Sequence, residues 1–174
     1  MEAAGVGDID TAAHQAATSP RNDLPEPTEA QHEAGNYKMG HVKVQGLDIT
    51  IEHPKDSVRR GTAADGTAWE RSMGAHYGYV RGSQGADGEQ VDVYLGPRPD
   101  APKVYVVDQV GADGKFDEHK ALIGYTNLLA AKRAYASHYP AGRTVGKITT
   151  MPMADFKEWL KDGDQTKPAA ERSA

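Results

Sequence analysis

The chain has no cysteine, which excludes disulfide bonds, thiolate zinc sites and cysteine nucleophiles. It also has no apolar run of membrane-spanning length, and the first residues lack the basic and apolar regions of a signal peptide. Basic residues are not in excess, since 20 Lys and Arg stand against 25 Asp and Glu. An acidic chain gains little from counterion release on DNA or RNA. We therefore expect a cytoplasmic protein with no membrane and no nucleic-acid partner.

Apolar residues are also scarce, at 38% of the 174 residues, which predicts that part of the chain lies outside a packed core. Residues 1–35 are rich in Ala, Glu, Gln and Pro, with few large apolar side chains. Residues 163–174 have the same character. We therefore predict a disordered lead, a catalytic domain over residues 36–162 and a disordered tail.

The middle of the chain carries the periodicity of strands first and of helices afterwards. Alternating or Val- and Tyr-rich segments predict strands near residues 41–44, 47–52, 67–72, 90–95, 103–110, 119–124 and 145–150. Helical spacing follows at residues 126–139 and 153–161. This order predicts an α+β fold, a small and mostly antiparallel five-stranded OB-like barrel with two C-terminal helices packed at its side.

Three carboxylates lie close together in the sequence at Asp87, Glu89 and Asp92. Asp92 stands between two valines, where an ionised carboxylate is costly without a positive partner. Glycines before and within the segment allow a tight turn that could bring the acids together. Three hard oxygen ligands suit Mg²⁺ or Mn²⁺. Alone, the segment is explained equally well as an Asp-Gly hairpin turn with solvated acids.

A second acidic group contains Asp113, Glu118 and Lys120. In an extended strand Glu118 and Lys120 would share one face. By itself this group is better explained as a solvated hairpin end than as a set of metal ligands. It indicates a metal site only in combination with the other motifs along the chain.

Five short motifs fall in a particular order: Ile-Glu-x-Pro at 51–54, Glu-Arg at 70–71, His-Tyr-Gly-Tyr at 76–79, Asp-Gly-Glu-Gln-Val-Asp-Val at 87–93 and Asp-x4-Glu-x-Lys at 113–120. Together they resemble the soluble, Mg²⁺-dependent inorganic pyrophosphatases of family I over residues 47–160. The Gly-x-Tyr-x-x-Gly-His-Val segment at 35–42 is similar to the start of pyrophosphatase-like modules in multi-domain proteins of bacteriophages and mobile elements.

The resemblance implies a role for each matching residue. It implies metal ligands at Glu52, Asp87, Asp92, Asp113 and Glu118. It implies phosphate-binding residues at Arg60 (with Arg59 as the alternative), Arg71, Lys120 and Tyr139. Catalytic roles would belong to Glu89, Asp92 and Tyr77, with Glu89 orienting the attacking water.

Three positions depart from the family's pattern. Glu89 and Glu118 each stand where the family has Asp, and Pro140 stands where it has a phosphate-binding Lys, for which Arg143 is a partial replacement. One added methylene at Glu89 can displace the carboxylate by about an ångström, which costs on the order of 100-fold in rate.

The predicted function is Mg²⁺-dependent hydrolysis of inorganic pyrophosphate to two phosphates by metal-activated water. Two alternatives remain open. One is a catalytically weakened, pyrophosphatase-like binding module of a phage-type polyprotein. The other is a hydrolase of a different phosphoanhydride, such as a nucleoside triphosphate. Pyrophosphate is the expected partner, and the sequence leaves open whether the chain forms a homo-oligomer.

Overall fold

A computed structural model describes residues 6–63, 65–83, 90–111, 113–138 and 146–171. Within them the elements are α1 (Val6–Ala13), α2 (Glu29–Ala34), β1 (Gly40–Val44), β2 (Leu47–His53), β3 (Val58–Thr62), β4 (Ala68–Ser72), β5 (His76–Val80), β6 (Asp92–Leu95), β7 (Lys103–Val110), β8 (Phe116–Ile123), α3 (Leu128–Ala136), β9 (Ile148–Pro152), α4 (Met153–Asp162) and a 3₁₀ turn, Ala169–Glu171. The predicted α+β class and the two C-terminal helices are confirmed. No helix in these ranges has the length and apolar character needed to cross a bilayer.

Seven strands form one sheet in the order β1-β2-β5-β6-β8-β7-β9, while β3 and β4 form a separate hairpin. Neighbouring strands are antiparallel except β6 and β8, which run parallel. Over the described ranges β1 and β9 remain the sheet edges. The prediction of a five-stranded OB-like barrel was therefore wrong. Local alternation specifies strands, whereas closure depends on which edge strands meet in space.

Alternation along the strands gives the sheet two faces with different cores. One core is largely aliphatic on its sheet side and packs against helices α1 and α4; it includes Ile49, Ile51, Val93, Val106 and Phe156. The other core is aromatic and packs against α3; it includes Tyr77, Tyr94, Tyr105, Tyr125 and Tyr135. We call the second surface the aromatic face, and the candidate site lies on it.

The lead, expected to be disordered, contains both α1 and α2. Ile9 and Ala13 of α1 are buried in the aliphatic core, and Asp10 Oδ1 lies 2.6 Å from Nε2 of the buried His76. A capping box at Thr28 closes the N-terminus of α2. Composition indicated disorder because the lead has few large apolar residues, but α1 needs only a small apolar stripe where the sheet supplies the remainder of the core.

The tail also contacts the sheet. Ala169 is fully buried, and the buried Asp108 carboxylate of β7 accepts hydrogen bonds from the N–H groups of Ala169 at 2.6 Å and Ala170 at 3.2 Å. The expected disordered tail therefore has structure as far as residue 171. The boundaries of the catalytic domain itself stay a prediction.

Candidate active site

Lys120 of β8 lies at the centre of a buried polar cluster on the aromatic face, with 5% of its surface exposed. Its Nζ lies 2.6 Å from Asp92 Oδ2, 2.8 Å from Tyr77 Oη and 3.0 Å from Glu118 Oε1. A buried ammonium requires such partners because an unpaired charge in the interior is strongly destabilising. These four residues form one hydrogen-bonded unit, which we call the lysine cluster.

Strand register explains why residues far apart in sequence meet here. Asp92 is the partner of Lys120 in the parallel pairing of β6 and β8, and Tyr77 pairs with Tyr94 in the adjacent strands β5 and β6. Glu118 shares the face of Lys120 because it lies two residues earlier on the same strand. The structure thus brings four sequence-predicted site residues together, while the roles given to them stay predictions.

Glu52 of β2 adds a third carboxylate to this region. Burial, followed by the negative charge of Asp92, raises the pKa of Glu52 to about 7 against the lowering effect of Arg59 and Lys120. Burial, together with the nearby charge of Asp92, therefore keeps Glu52 partly protonated near neutral pH.

The hairpin of β3 and β4, which we call the arginine hairpin, approaches the lysine cluster through Tyr77. Cζ of Arg59 lies 4.6 Å from the Tyr77 ring centroid, a cation–π distance. Arg71 is the register partner of Arg59, and its Cζ lies 4.9 Å from the ring centroid of Trp69. Arg59 and Arg71 therefore share the half-buried face of the hairpin.

Arg60 lies on the opposite, exposed face of the arginine hairpin. It pairs with Glu70 (Nε–Oε1 2.8 Å) and with Glu26 (Nη1–Oε1 3.1 Å). The sequence spacing favoured Arg60 and kept Arg59 as the alternative. The structure brings Arg59 to Tyr77 and turns Arg60 away, because successive residues of a strand face opposite sides.

The remaining predicted residues are not in the lysine cluster. Asp113 is exposed in the turn between β7 and β8, where its Oδ1 accepts from the N–H of Lys115 at 3.0 Å. Asp87, Glu89 and Tyr139 lie outside the described residues, as do Pro140 and Arg143.

Two aromatic residues near Glu52 escaped the sequence analysis. Burial, with the charges of Arg59 and His32, lowers the pKa of His53 to about 3, so this imidazole is neutral. Its ring stacks on Tyr77 with centroids 6.5 Å apart. Burial and the charge of Glu52 raise the pKa of Tyr37. Sequence spacing does not detect a residue such as His53, whose position depends on the pairing of β2 with β5.

The donor set fits a hard divalent cation in its chemistry. Carboxylate oxygens are the ligands that Mg²⁺ prefers, and Asp92 is close enough to Glu52 for its charge to add to the larger effect of burial on the Glu52 pKa. Among the described residues, no three His, Cys, Asp or Glu side chains lie close enough together to hold a metal ion. The predicted ligands Asp87 and Glu89 are outside that set.

Comparison with curated proteins gave no match, and comparison with solved structures gave none either. The family model for Inorganic Pyrophosphatase matches residues 29–161, which is well over half of the 174-residue chain. The matched range contains the lysine cluster, Glu52 and the arginine hairpin. The chain therefore belongs to the inorganic pyrophosphatase family.

Proposed function

We propose that this chain hydrolyses inorganic pyrophosphate to two phosphates in a reaction that depends on Mg²⁺ or Mn²⁺. The observation that carries the proposal is the meeting of opposite charges at Tyr77. Lys120 binds the Tyr77 hydroxyl and two carboxylates, and Cζ of Arg59 lies 4.6 Å from the centroid of the same ring. A phosphoanhydride requires both, because cations must neutralise its oxygens and carboxylates must hold those cations.

The residues that would hold Mg²⁺ are Glu52, Asp87, Asp92, Asp113 and Glu118. When bound, the ion would neutralise phosphate oxygens and lower the pKa of a coordinated water. Glu89 and Asp92 then orient the attacking water. Arg59, Arg71 and Tyr139 bind the phosphate that leaves, which stabilises the negative charge it develops.

Lys120 has two successive partners in this scheme. In the described structure its ammonium neutralises Asp92 and Glu118. With Mg²⁺ held by these carboxylates, the ammonium would be available to a phosphate oxygen, with Tyr77 beside it. Lys120 therefore holds the carboxylates in place before substrate arrives and binds the substrate afterwards.

The test is the release of phosphate from pyrophosphate by purified protein, with and without Mg²⁺. Asp92→Asn, purified in the same way, is the matched control for contaminating phosphatase, and it should lose the activity. Glu89→Asp restores the family's residue, and we expect its kcat to rise by up to about 100-fold. No Mg²⁺-dependent release above the Asp92→Asn preparation, for either the native chain or Glu89→Asp, would rule the function out.

A weakened binding module of a phage-type polyprotein is the second candidate. It is favoured by the lack of a gathered metal-ligand group in the described ranges and by the substitutions at Glu89, Glu118 and Pro140. In that case Mg²⁺ would hardly change the melting temperature, and Asp92→Asn would be at least as stable as the native chain. A panel of nucleoside triphosphates separates pyrophosphate hydrolysis from action on another phosphoanhydride.

A further inference from the structure

Two buried polar side chains, Gln109 and Tyr135, form a hydrogen-bonded chain that ends at Glu118. The Tyr135 hydroxyl of α3 donates to Gln109 Oε1 at 2.9 Å, and Gln109 Nε2 donates to Glu118 Oε1 at 3.3 Å. Tyr135 is 1% exposed and Gln109 of β7 is 6% exposed. Buried polar groups of this kind are costly unless they are satisfied, so the pair has a defined arrangement.

The direction of the Gln109 amide is fixed by its two neighbours. Its carbonyl oxygen can only accept, so the Tyr135 hydroxyl must be the donor in their contact. The NH₂ end then faces Glu118, which as a carboxylate accepts. A flipped amide would place the Gln109 and Glu118 oxygens, both acceptors, against each other.

Glu118 receives donors from two directions on the same oxygen. Lys120 Nζ lies 3.0 Å from Oε1 and Gln109 Nε2 lies 3.3 Å from the same atom. Gln109 is the register partner of Glu118 across β7 and β8, so the sheet itself sets this geometry. Two donors converging on one oxygen restrict the rotation of a carboxylate much more than one does.

We propose that Gln109 and Tyr135 are positioning residues for Glu118. Tyr135 sets the direction of the Gln109 amide, and Gln109 holds the Glu118 carboxylate against Lys120 in one orientation. Neither residue touches substrate. The inference rests on the proposed function and deepens it, since it names the residues that orient Glu118, one of the predicted metal ligands.

Three variants test the inference. Gln109→Leu removes the donor to Glu118, and Tyr135→Phe removes only the hydroxyl that orients Gln109. Tyr125→Phe is the matched control, since Tyr125 is buried in the same aromatic core but its hydroxyl has no hydrogen-bond partner in the described part of the chain. Calorimetric titration with Mg²⁺ and the Mg²⁺ dependence of turnover are measured well below the unfolding temperature.

We expect Gln109→Leu to weaken Mg²⁺ affinity roughly 10- to 100-fold, as loss of a hydrogen-bonding partner behind a metal ligand typically does. KM for pyrophosphate at saturating Mg²⁺ should change much less. Tyr135→Phe should act in the same direction with a smaller effect, and Tyr125→Phe should match the native chain. The double variant Gln109→Leu with Tyr135→Phe should have the same Mg²⁺ affinity as Gln109→Leu alone. Both substitutions act through the one contact between Gln109 and Glu118.

A crystal structure of metal-free Gln109→Leu separates this inference from the proposed function. We expect the Glu118 carboxylate to leave Lys120 or to occupy more than one conformation. A single Glu118 conformer at the native distance from Lys120, with unchanged Mg²⁺ affinity, would overturn the positioning role even in an active enzyme. If the native chain releases no phosphate, the function fails, and the crystal structure still decides the role of Gln109.

Discussion

The lysine cluster and the arginine hairpin meet at Tyr77 but are held in place in different ways. Lys120 and Tyr77 are 5% and 3% exposed and lie on central strands of a seven-stranded sheet. The hairpin has only two strands, whose residues alternate between exposed and half-buried. One half of the site is therefore part of the core, and the other half contacts the core from outside.

This difference indicates separate roles for the arginine hairpin and the lysine cluster. Two strands alone are marginally stable, so the arginine hairpin depends on contacts such as Arg59 over Tyr77 and Arg71 over Trp69. Such contacts can adjust when a small anion arrives. The strands that carry the lysine cluster cannot shift without disturbing the sheet, which suits carboxylates that must keep a fixed geometry for a cation.

The strongest test of this difference is the stability of Lys120→Met. Removing the ammonium leaves Asp92 and Glu118 without their shared buried partner, and we expect a loss of about 3–5 kcal/mol in the free energy of unfolding. Arg59→Met removes a half-buried cation–π contact and should cost less than about 1 kcal/mol. Urea unfolding without metal measures both. If Lys120→Met and Arg59→Met lost the same free energy of unfolding, the lysine cluster and the arginine hairpin would not differ in how they are held in place.

The pH dependence of stability provides a second test, through Glu52 on strand β2 of the large sheet. Its pKa of about 7 exceeds the ordinary 4.5, so between those values the folded chain keeps a proton that the unfolded chain releases. The resulting stabilisation is fully present below pH 4.5 and is lost as the pH rises through 7, a change of about 3 kcal/mol. Urea unfolding in a chelator should show this decline as the difference in the free energy of unfolding between the native chain and Glu52→Gln.

His53 must be separated from that measurement because it acts with the opposite sign. Its pKa is lowered to about 3, so the unfolded chain takes up a proton that the folded chain refuses as the pH falls below 6.5. This contribution is lost on acidification and is common to the native chain and Glu52→Gln. The difference between their stability curves therefore isolates Glu52. Parallel curves would mean that the folded chain does not raise the pKa of Glu52.

The same contrast explains what could be predicted from the sequence. The motifs shared with the family predicted Tyr77, Asp92, Glu118 and Lys120, and strand pairing brings these residues together. Only Asp92 and Lys120 fall in segments whose alternation had predicted a strand. Gln109 has no such signal, since its role depends on which strand lies beside β8.

The errors arose where tertiary contacts decide the outcome. Sheet closure was predicted from local strand signals, which say nothing about whether β1 and β9 meet. The lead was judged by composition, although Ile9 and Ala13 are enough to pack α1 on the sheet. A spacing of eight residues favoured Arg60, but a shift of one residue on a strand reverses the face it occupies.

The arginine hairpin supplies the smallest expected effect and the sharpest comparison between adjacent residues. Arg59→Met should raise KM for pyrophosphate roughly tenfold or more, the loss expected for one charge-assisted contact to phosphate, with the melting temperature nearly unchanged. Arg60→Met is its matched control, because Arg60 faces away and pairs with Glu70 and Glu26. Steady-state kinetics at saturating Mg²⁺ resolves the two. An effect confined to Arg60→Met would mean that the hairpin presents its other face to the substrate in solution, and the division between a fixed and an adjustable half would then need a different geometry.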